Sequence, residues 1–159
     1  MTVSRAPGEE ETIRSMVSPE EFEPFASAVL RIQRRAYAVE AALIGDDRIP
    51  ALHESLADLL AADLHWVLES EGDRIVAALG YAMRGESVTI DRLVVDPDHH
   101  RRGIGARLVR GVLDLRPEVQ VSTGRDNHPA RALYSSLGFV HEQDREVVHG
   151  LWVSDYRRH

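Results

Sequence analysis

The stretch Leu93-Val94-Val95-Asp96-Pro97-Asp98-His99-His100-Arg101-Arg102-Gly103-Ile104-Gly105-Ala106 decides how the rest of the chain is read. It begins as an apolar, partly β-branched run, which fits a buried strand. Pro97 has no N–H and cannot extend a sheet ladder, so the strand ends there. Two histidines and two arginines follow. Then two glycines open a helical pattern in which Leu108, Val109, Val112 and Leu113 face inward. Gly103 and Gly105 let the backbone approach a ligand closely. The first amides of such a helix lack intrahelical partners, and with the helix dipole they make a phosphate site. A Gly-x-Gly at a helix start is by itself also a common tight connection, and both readings stand at this level. The dinucleotide fingerprint fits poorly, because Leu108 occupies the place of its third glycine. No Gly-Lys-Ser/Thr follows, as a P-loop requires.

Upstream of this stretch, Ser87–Val95 reads as a strand. Arg74–Met83 and His65–Ser70 precede it, joined by the turns Glu71-Gly72-Asp73 and Arg84-Gly85-Glu86. Three strands on short turns make an antiparallel meander. Earlier still, Ser18-Pro19-Glu20-Glu21 has the form of a helix start: a serine cap, proline at the first position and glutamate three residues on. Phe22, Phe25, Val29, Ile32 and Ala36 give that helix one buried face, and Gly45-Asp46-Asp47 ends it. Pro50 opens a second helix, with Leu52, Leu56, Leu59 and Leu60 inward. Thr12–Val17 reads as a first strand and residues 1–10 as a flexible tail, which leaves 11–159 as a single domain.

Downstream, Gly103–Leu115 reads as a helix, Glu118–Ser122 as a strand and Asn127–Leu137 as a helix closed by Gly138. Phe139–Glu146 and Leu151–Tyr156 form a last hairpin around Gly150. The order is β-α-α-β-β-β-α-β-α-β-β. It predicts an α/β fold of the α+β type: a mixed, mostly antiparallel sheet flanked by about four helices, with a right-handed crossover through Gly103–Leu115.

The bulk properties bound what such a fold does. With 159 residues and a hydrophobic fraction of 43%, the chain suits one core. It contains no cysteine, which removes disulfides, thiolate metal sites and an acyl-cysteine intermediate together. No metal is expected. The net charge of −7 is a poor footprint for nucleic acid. His99, His100, Arg101, Arg102, Arg107 and Arg110 are nonetheless clustered, a local cationic patch that points to a small anionic ligand. No apolar run is long enough to span a bilayer, so no membrane partner is expected. The opening MTVSRAPGEEET lacks the apolar centre of a secretory signal, and the expected location is cytoplasmic.

A second informative segment is Asn127-His128-Pro129-Ala130-Arg131-Ala132-Leu133-Tyr134-Ser135-Ser136-Leu137-Gly138-Phe139. Its plain alternative is an amphipathic helix with Leu133, Leu137, Phe139 and Tyr134 as packing.

Taken together, the two segments resemble the GNAT superfamily of N-acetyltransferases. The first is similar to its acetyl-CoA loop, Q/R-x-x-G-x-G/A. The second is similar to its N-x-x-A-x-x-L-Y-x-x-x-G-F helix at Asn127, Ala130, Leu133, Tyr134, Gly138 and Phe139. The matching elements run over Leu68–Phe139. One departure is His100, where the family has glutamine or arginine; a histidine still donates to a phosphate.

The resemblance implies acetyl-CoA as acetyl donor. Backbone groups of Leu93, Val94 and Val95 would pair with the pantetheine arm as an added strand. The segment Arg101–Ala106, including Arg102, Gly103, Ile104 and Gly105, would cradle the pyrophosphate beside His100, while Asn127 would contact the cofactor arm. A backbone N–H near Val94 would face the oxyanion, and Tyr134 would act as general acid toward the CoA sulfur. Transfer would be direct, to an amine of a small molecule or peptide.

The base is open between readings. Asp91 shares strand parity with Thr89, Leu93 and Val95 and could take the proton, or it could pair with an arginine. His65, His141 and His149 titrate in a useful range but carry no other signal. Glu40, Asp46, Asp47, Glu54 and Asp58 could form an acidic acceptor wall that favours a cationic amine, or a solvated helix face. A non-catalytic acetyl-CoA sensor and an interaction module with an acidic partner are the alternatives. The final hairpin offers an edge for a homodimer, although no residue demands one.

Overall fold

Runs of apolar residues in two central strands send successive side chains to opposite, buried faces of one sheet. The computed structural model describes residues 2–4 and 12–159, and its sheet has eight strands. They are β1 (Thr2–Ser4), β2 (Thr12–Val17), β3 (His65–Glu71), β4 (Arg74–Arg84), β5 (Ser87–Val95), β6 (Glu118–Gly124), β7 (Val140–Val148) and β8 (Leu151–Arg158). Their order is β1-β2-β3-β4-β5-β6-β8-β7, antiparallel throughout except for the parallel pair β5–β6.

Four α-helices accompany the sheet among the described residues: α1 (Ala26–Ile44), α2 (Leu56–Ala61), α3 (Ile104–Arg110) and α4 (His128–Ser136). On one face, Ile104, Leu108 and Val109 of α3 and Tyr134 of α4 pack on Val67, Leu79, Val88 and Ile90. On the other, Val29, Leu30 and Ile32 of α1 and Leu59 of α2 pack on Trp66, Leu68, Ala78 and Val94. Phe22 stacks on Trp66 with ring centroids 4.4 Å apart. The mixed sheet and the order of elements from Thr12 onward are those expected from the sequence. No described helix is long and apolar enough to cross a membrane.

Several local expectations are corrected. Thr2–Ser4 form a strand paired with β2, where a tail was expected; the remainder of that stretch lies outside the described residues. The capping box at Ser18 is present, with Ser18 Oγ donating to Glu21 Oε1 at 2.7 Å, but it starts only a 3₁₀ turn. Pro24 adds a second such turn, because it has no N–H for a continuing helix, and α1 begins at Ala26. Pro50 likewise opens a 3₁₀ turn, Pro50–His53. The second helix is started by Ser55, whose hydroxyl accepts from Asp58 N at 3.1 Å. That helix is short and turns only Leu59 inward, so Leu56 and Leu60 remain about 40% exposed. α3 stops at Arg110: Gly111 weakens the helix, and the chain continues in i to i+3 turns that still bury Val112.

Two irregularities of β5 position the site. β5 and β6 pair only over Ser87–Ile90 and Glu118–Val121, and then part. On the other side, Tyr81 faces Ile90 while Gly80 faces Arg92, so Asp91 is the extra residue of a β-bulge.

Candidate functional site

A cleft of about 570 Å³ opens where β5 and β6 separate, between α1, the loop after β5, and the starts of α3 and α4. Leu93, Val95, His100, Arg101, Gly103, Ile104, Gly105, Ala106 and Asn127 border it, so most of the cofactor-binding residues expected from the sequence are brought together. Gly103 caps α3 at φ 72°, in the left-handed region where a side chain is strained. Arg101, at φ 65°, takes that conformation beside it despite its side chain. Gly105 faces Leu133 and Leu93, which lie 3.5 and 3.7 Å from where its Cβ would stand.

Two expected residues stand differently. The Val94 side chain is buried in the opposite core, and Val94 borders neither the cleft nor the cavity beside it. Arg102 does not border the cleft. Its Nη1 lies 3.4 Å from Glu71 Oε1, and its carbonyl accepts from Arg107 Nη1 at 3.1 Å. His100 borders the cleft while donating from Nε2 to Val95 O at 3.2 Å, which ties the loop to the end of β5.

Beside the cleft lies a smaller cavity of about 110 Å³ in the gap between the parted strands. Tyr37, Glu40, Leu93, Asn127, Ala130 and Leu133 border both spaces. Tyr134 and Asp91 border only the inner one. Tyr134 is 4% exposed and packs edge-on against Phe139, centroids 5.5 Å apart. Burial, with a smaller contribution from the charge of Glu40, raises its phenol well above the ordinary value. Tyr37 is raised for the same two reasons, in the same order. Glu40 is itself pushed upward by burial, against the opposing pull of the Asn127 side chain and the Gly124 backbone.

The bulge overturns the strand parity read for Asp91. Ile90 and Leu93 pack into the same core, whereas unbroken alternation would place them on opposite faces. Asp91 Oδ2 instead accepts from Arg92 Nε at 2.9 Å, the arginine-paired reading. Arg92 is nearly buried and also pairs with Glu54, which accepts from Gln33 Nε2 at 2.7 Å.

The acidic wall dissolves in the same way. Asp46 is bound by Arg48, Asp58 caps α2, and Glu54 is neutralised by Arg92. Of the five acids, only Glu40 borders these two cavities. Asn127 is used as a cap as well as a lining residue, its Oδ1 accepting from Ala130 N at 3.2 Å. Of the histidines considered as bases, His65 stacks on Tyr81 and His141 bonds Asp144 at 2.7 Å.

Sequence reasoning missed Tyr37, and it named Glu40 only as one of five acids of a possible acceptor wall. The signal was present as the spacing Ala36, Tyr37, Glu40, Leu43, one helix face beside the apolar stripe of Val29 and Ile32.

Comparisons with known proteins agree with this geometry. The model of the acetyltransferase (GNAT) family matches residues 26–139. The N-alpha-acetyltransferase RimI of Mycobacterium tuberculosis is 35% identical over 115 residues, covering 67% of this chain and 71% of RimI. The UPF0157 protein YqkA of Bacillus subtilis is 33% identical over 132 residues, covering 81% of this chain but 38% of YqkA, so the chain spans well under half of that relative. The crystal structure of the PaiA N-acetyltransferase of Thermoplasma acidophilum, in complex with coenzyme A, has a TM-score of 0.73 at 13% identity. That match covers 91% of this chain and 97% of the other, and it is a likeness of fold. With its two motifs meeting at one cleft and the family model spanning most of its length, the chain belongs to the acetyltransferase (GNAT) family.

Proposed function

We propose that the protein is an acetyl-CoA-dependent N-acetyltransferase that moves an acetyl group directly to an amine of a small molecule or peptide. The observation that carries this is that the two cavities adjoin, with Glu40, Leu93, Asn127 and Leu133 among the residues that line both. A cleft bordered by Arg101 and Gly103 to Ala106 lies beside a pocket bordered by Tyr134 in the gap between β5 and β6. Acetyl-CoA supplies the activated acyl group as a thioester.

The residues present fit that donor. The backbone edge of β5 from Asp91 to Val95 has no strand partner on the β6 side and can pair with an extended arm. Gly103 and its neighbours leave backbone amides at the mouth of the cleft, and Arg101 is exposed beside them. Leu93, Val95 and Leu133 give the floor apolar character. A backbone N–H of β5 near Val94 would supply the donor for the carbonyl oxygen. Tyr134 holds its proton across the physiological range and offers it to the departing sulfur.

The test is thiol release from acetyl-CoA across a panel of amines. The chain contains no lysine, so side-chain self-acetylation adds no background. Acetyl-CoA at about a hundredfold its Kd should add about 2.7 kcal/mol of stability, seen as a rise in Tm. The reading is lost if neither the rise nor any amine-dependent thiol release appears.

A further inference from the structure

Glu40 stands where the outer cleft and the inner pocket meet, since it borders both. Its carboxylate reaches from α1 toward the end of β6. Oε1 lies 3.5 Å from the place a Cβ on Gly124 would occupy. Asn127 borders the same two cavities, and its side chain and the Gly124 backbone pull against the upward push of burial on Glu40. The neighbouring acids are engaged, Asp91 and Glu54 both by Arg92. Among the described residues, no arginine is paired with Glu40. An amine acceptor arrives in water as a cation and attacks only after losing a proton. It therefore needs a negative group at the junction, opposite the phenol that serves the sulfur.

We propose that Glu40 grips the acceptor ammonium at this junction and takes its proton, so that it is the general base and selects acceptors that arrive as cations. This rests on the acetyl-transfer reading above. The ammonium nitrogen passes one proton to Glu40 and, as a neutral amine, forms the C–N bond to the thioester carbonyl. The C–S bond breaks, Tyr134 gives its proton to sulfur and regains one from the new amide nitrogen, and Glu40 releases its proton to water. One ammonium and one thioester thus yield one amide, one thiol and one proton.

Burial works in the same direction, because a carboxylate pushed upward is a stronger base. The titratable and charged groups around Glu40 are Tyr37 on α1, Asp91 and Arg92 on β5, and Tyr134 on α4. His99, His100 and Arg101 stand across the outer cleft. β6 contributes Ser122, Thr123 and Gly124 near it, none of which titrates there.

The experiment uses the full chain, acetyl-CoA, and n-butylamine, spermidine and a peptide with a free α-amine, with thiol release followed from acid to mildly alkaline pH. Glu40→Gln should lower kcat/KM by about a hundredfold or more. It should also remove the acid limb of the pH profile while keeping the Tm rise with acetyl-CoA. Glu40→Asp should recover part of the rate, and added formate should restore part of the activity of Glu40→Ala. A Glu40→Gln variant with wild-type kcat/KM overturns the proposal alone. So does one that is slow but keeps its acid limb, or that has lost the acetyl-CoA response, because Glu40 would then be structural. A wild type that shows the Tm rise but releases no thiol with any of these cationic amines overturns this proposal alone, and the absence of both the rise and the release overturns the acetyl-transfer reading with it.

Discussion

Ile90 and Leu93 lie three positions apart on β5, yet both pack into the core beneath α3 and α4. The bulge at Asp91 inserts the residue that makes this parity work, and it does so where β5 leaves β6. The opposing position is Gly80. A Cβ there would stand 3.0 Å from Leu64 Cδ1 and 3.1 Å from Trp66 Cη2.

Gly80→Ala should therefore overpack the Trp66 side of the sheet and cost about 1–3 kcal/mol. Urea denaturation measures the stability loss. If the bulge is disturbed as well, thiol release should fall further than the population of folded protein does. An unchanged urea midpoint would mean that Trp66 yields without cost.

Tyr134→Phe keeps the ring that packs against Phe139 and removes only the hydroxyl. The expected result is a fall in kcat of about a hundredfold, with the Tm rise on acetyl-CoA addition preserved. Pre-steady-state measurement of thiol release separates this chemical defect from slow product release.

Arg92→Met should destabilise the protein by about 3 kcal/mol, because it leaves the largely buried Glu54 without its cation, while the half-exposed Asp91 adds little. Pairing Arg92→Met with Glu54→Leu should recover part of that loss in a double-mutant cycle. Simple additivity of the two costs would show that the pair is not coupled.

Two carboxylates should pull stability in opposite directions with pH. Asp96 is held below its ordinary range. Burial, the largest single influence, raises it, but the Asp98 amide with Arg35, His99 and Arg74 together outweigh that. Its contribution is therefore full above the unfolded value of about 3.9 and is lost as pH falls through the folded value. Glu40 is raised by burial, so its contribution is best below about 4.3 and declines as pH rises through the folded value. Urea midpoints as a function of pH should show Asp96→Asn flattening the acid side, and Glu40→Gln no less stable than wild type near neutrality.

Much of the site was legible because its motifs are local. A strand stopped by Pro97, a helix opened at Gly103, and Asn127 capping the helix that carries Tyr134 each depend on a few neighbouring residues. All three stand where the spacing placed them. Helix boundaries were less legible at Pro24, Pro50 and Gly111, where the periodicity continues but the backbone tightens into 3₁₀ turns. The roles of charged residues were least legible. Arg102, Asp91 and Glu54 each found a partner far along the chain or on the bulge, and no spacing rule pairs Arg92 with Glu54 or Arg102 with Glu71.

The order of elements, the turn glycines and the two cleft-forming segments were set by the chain itself, because hydrogen bonding and steric freedom act over a few residues. Which acids stay unpaired, how β5 leaves β6, and that Glu40 ends beside Tyr134 were decided only when distant elements packed. Packing fixes which charges lose water and which find a counter-charge, and that choice is made across the sheet rather than along it.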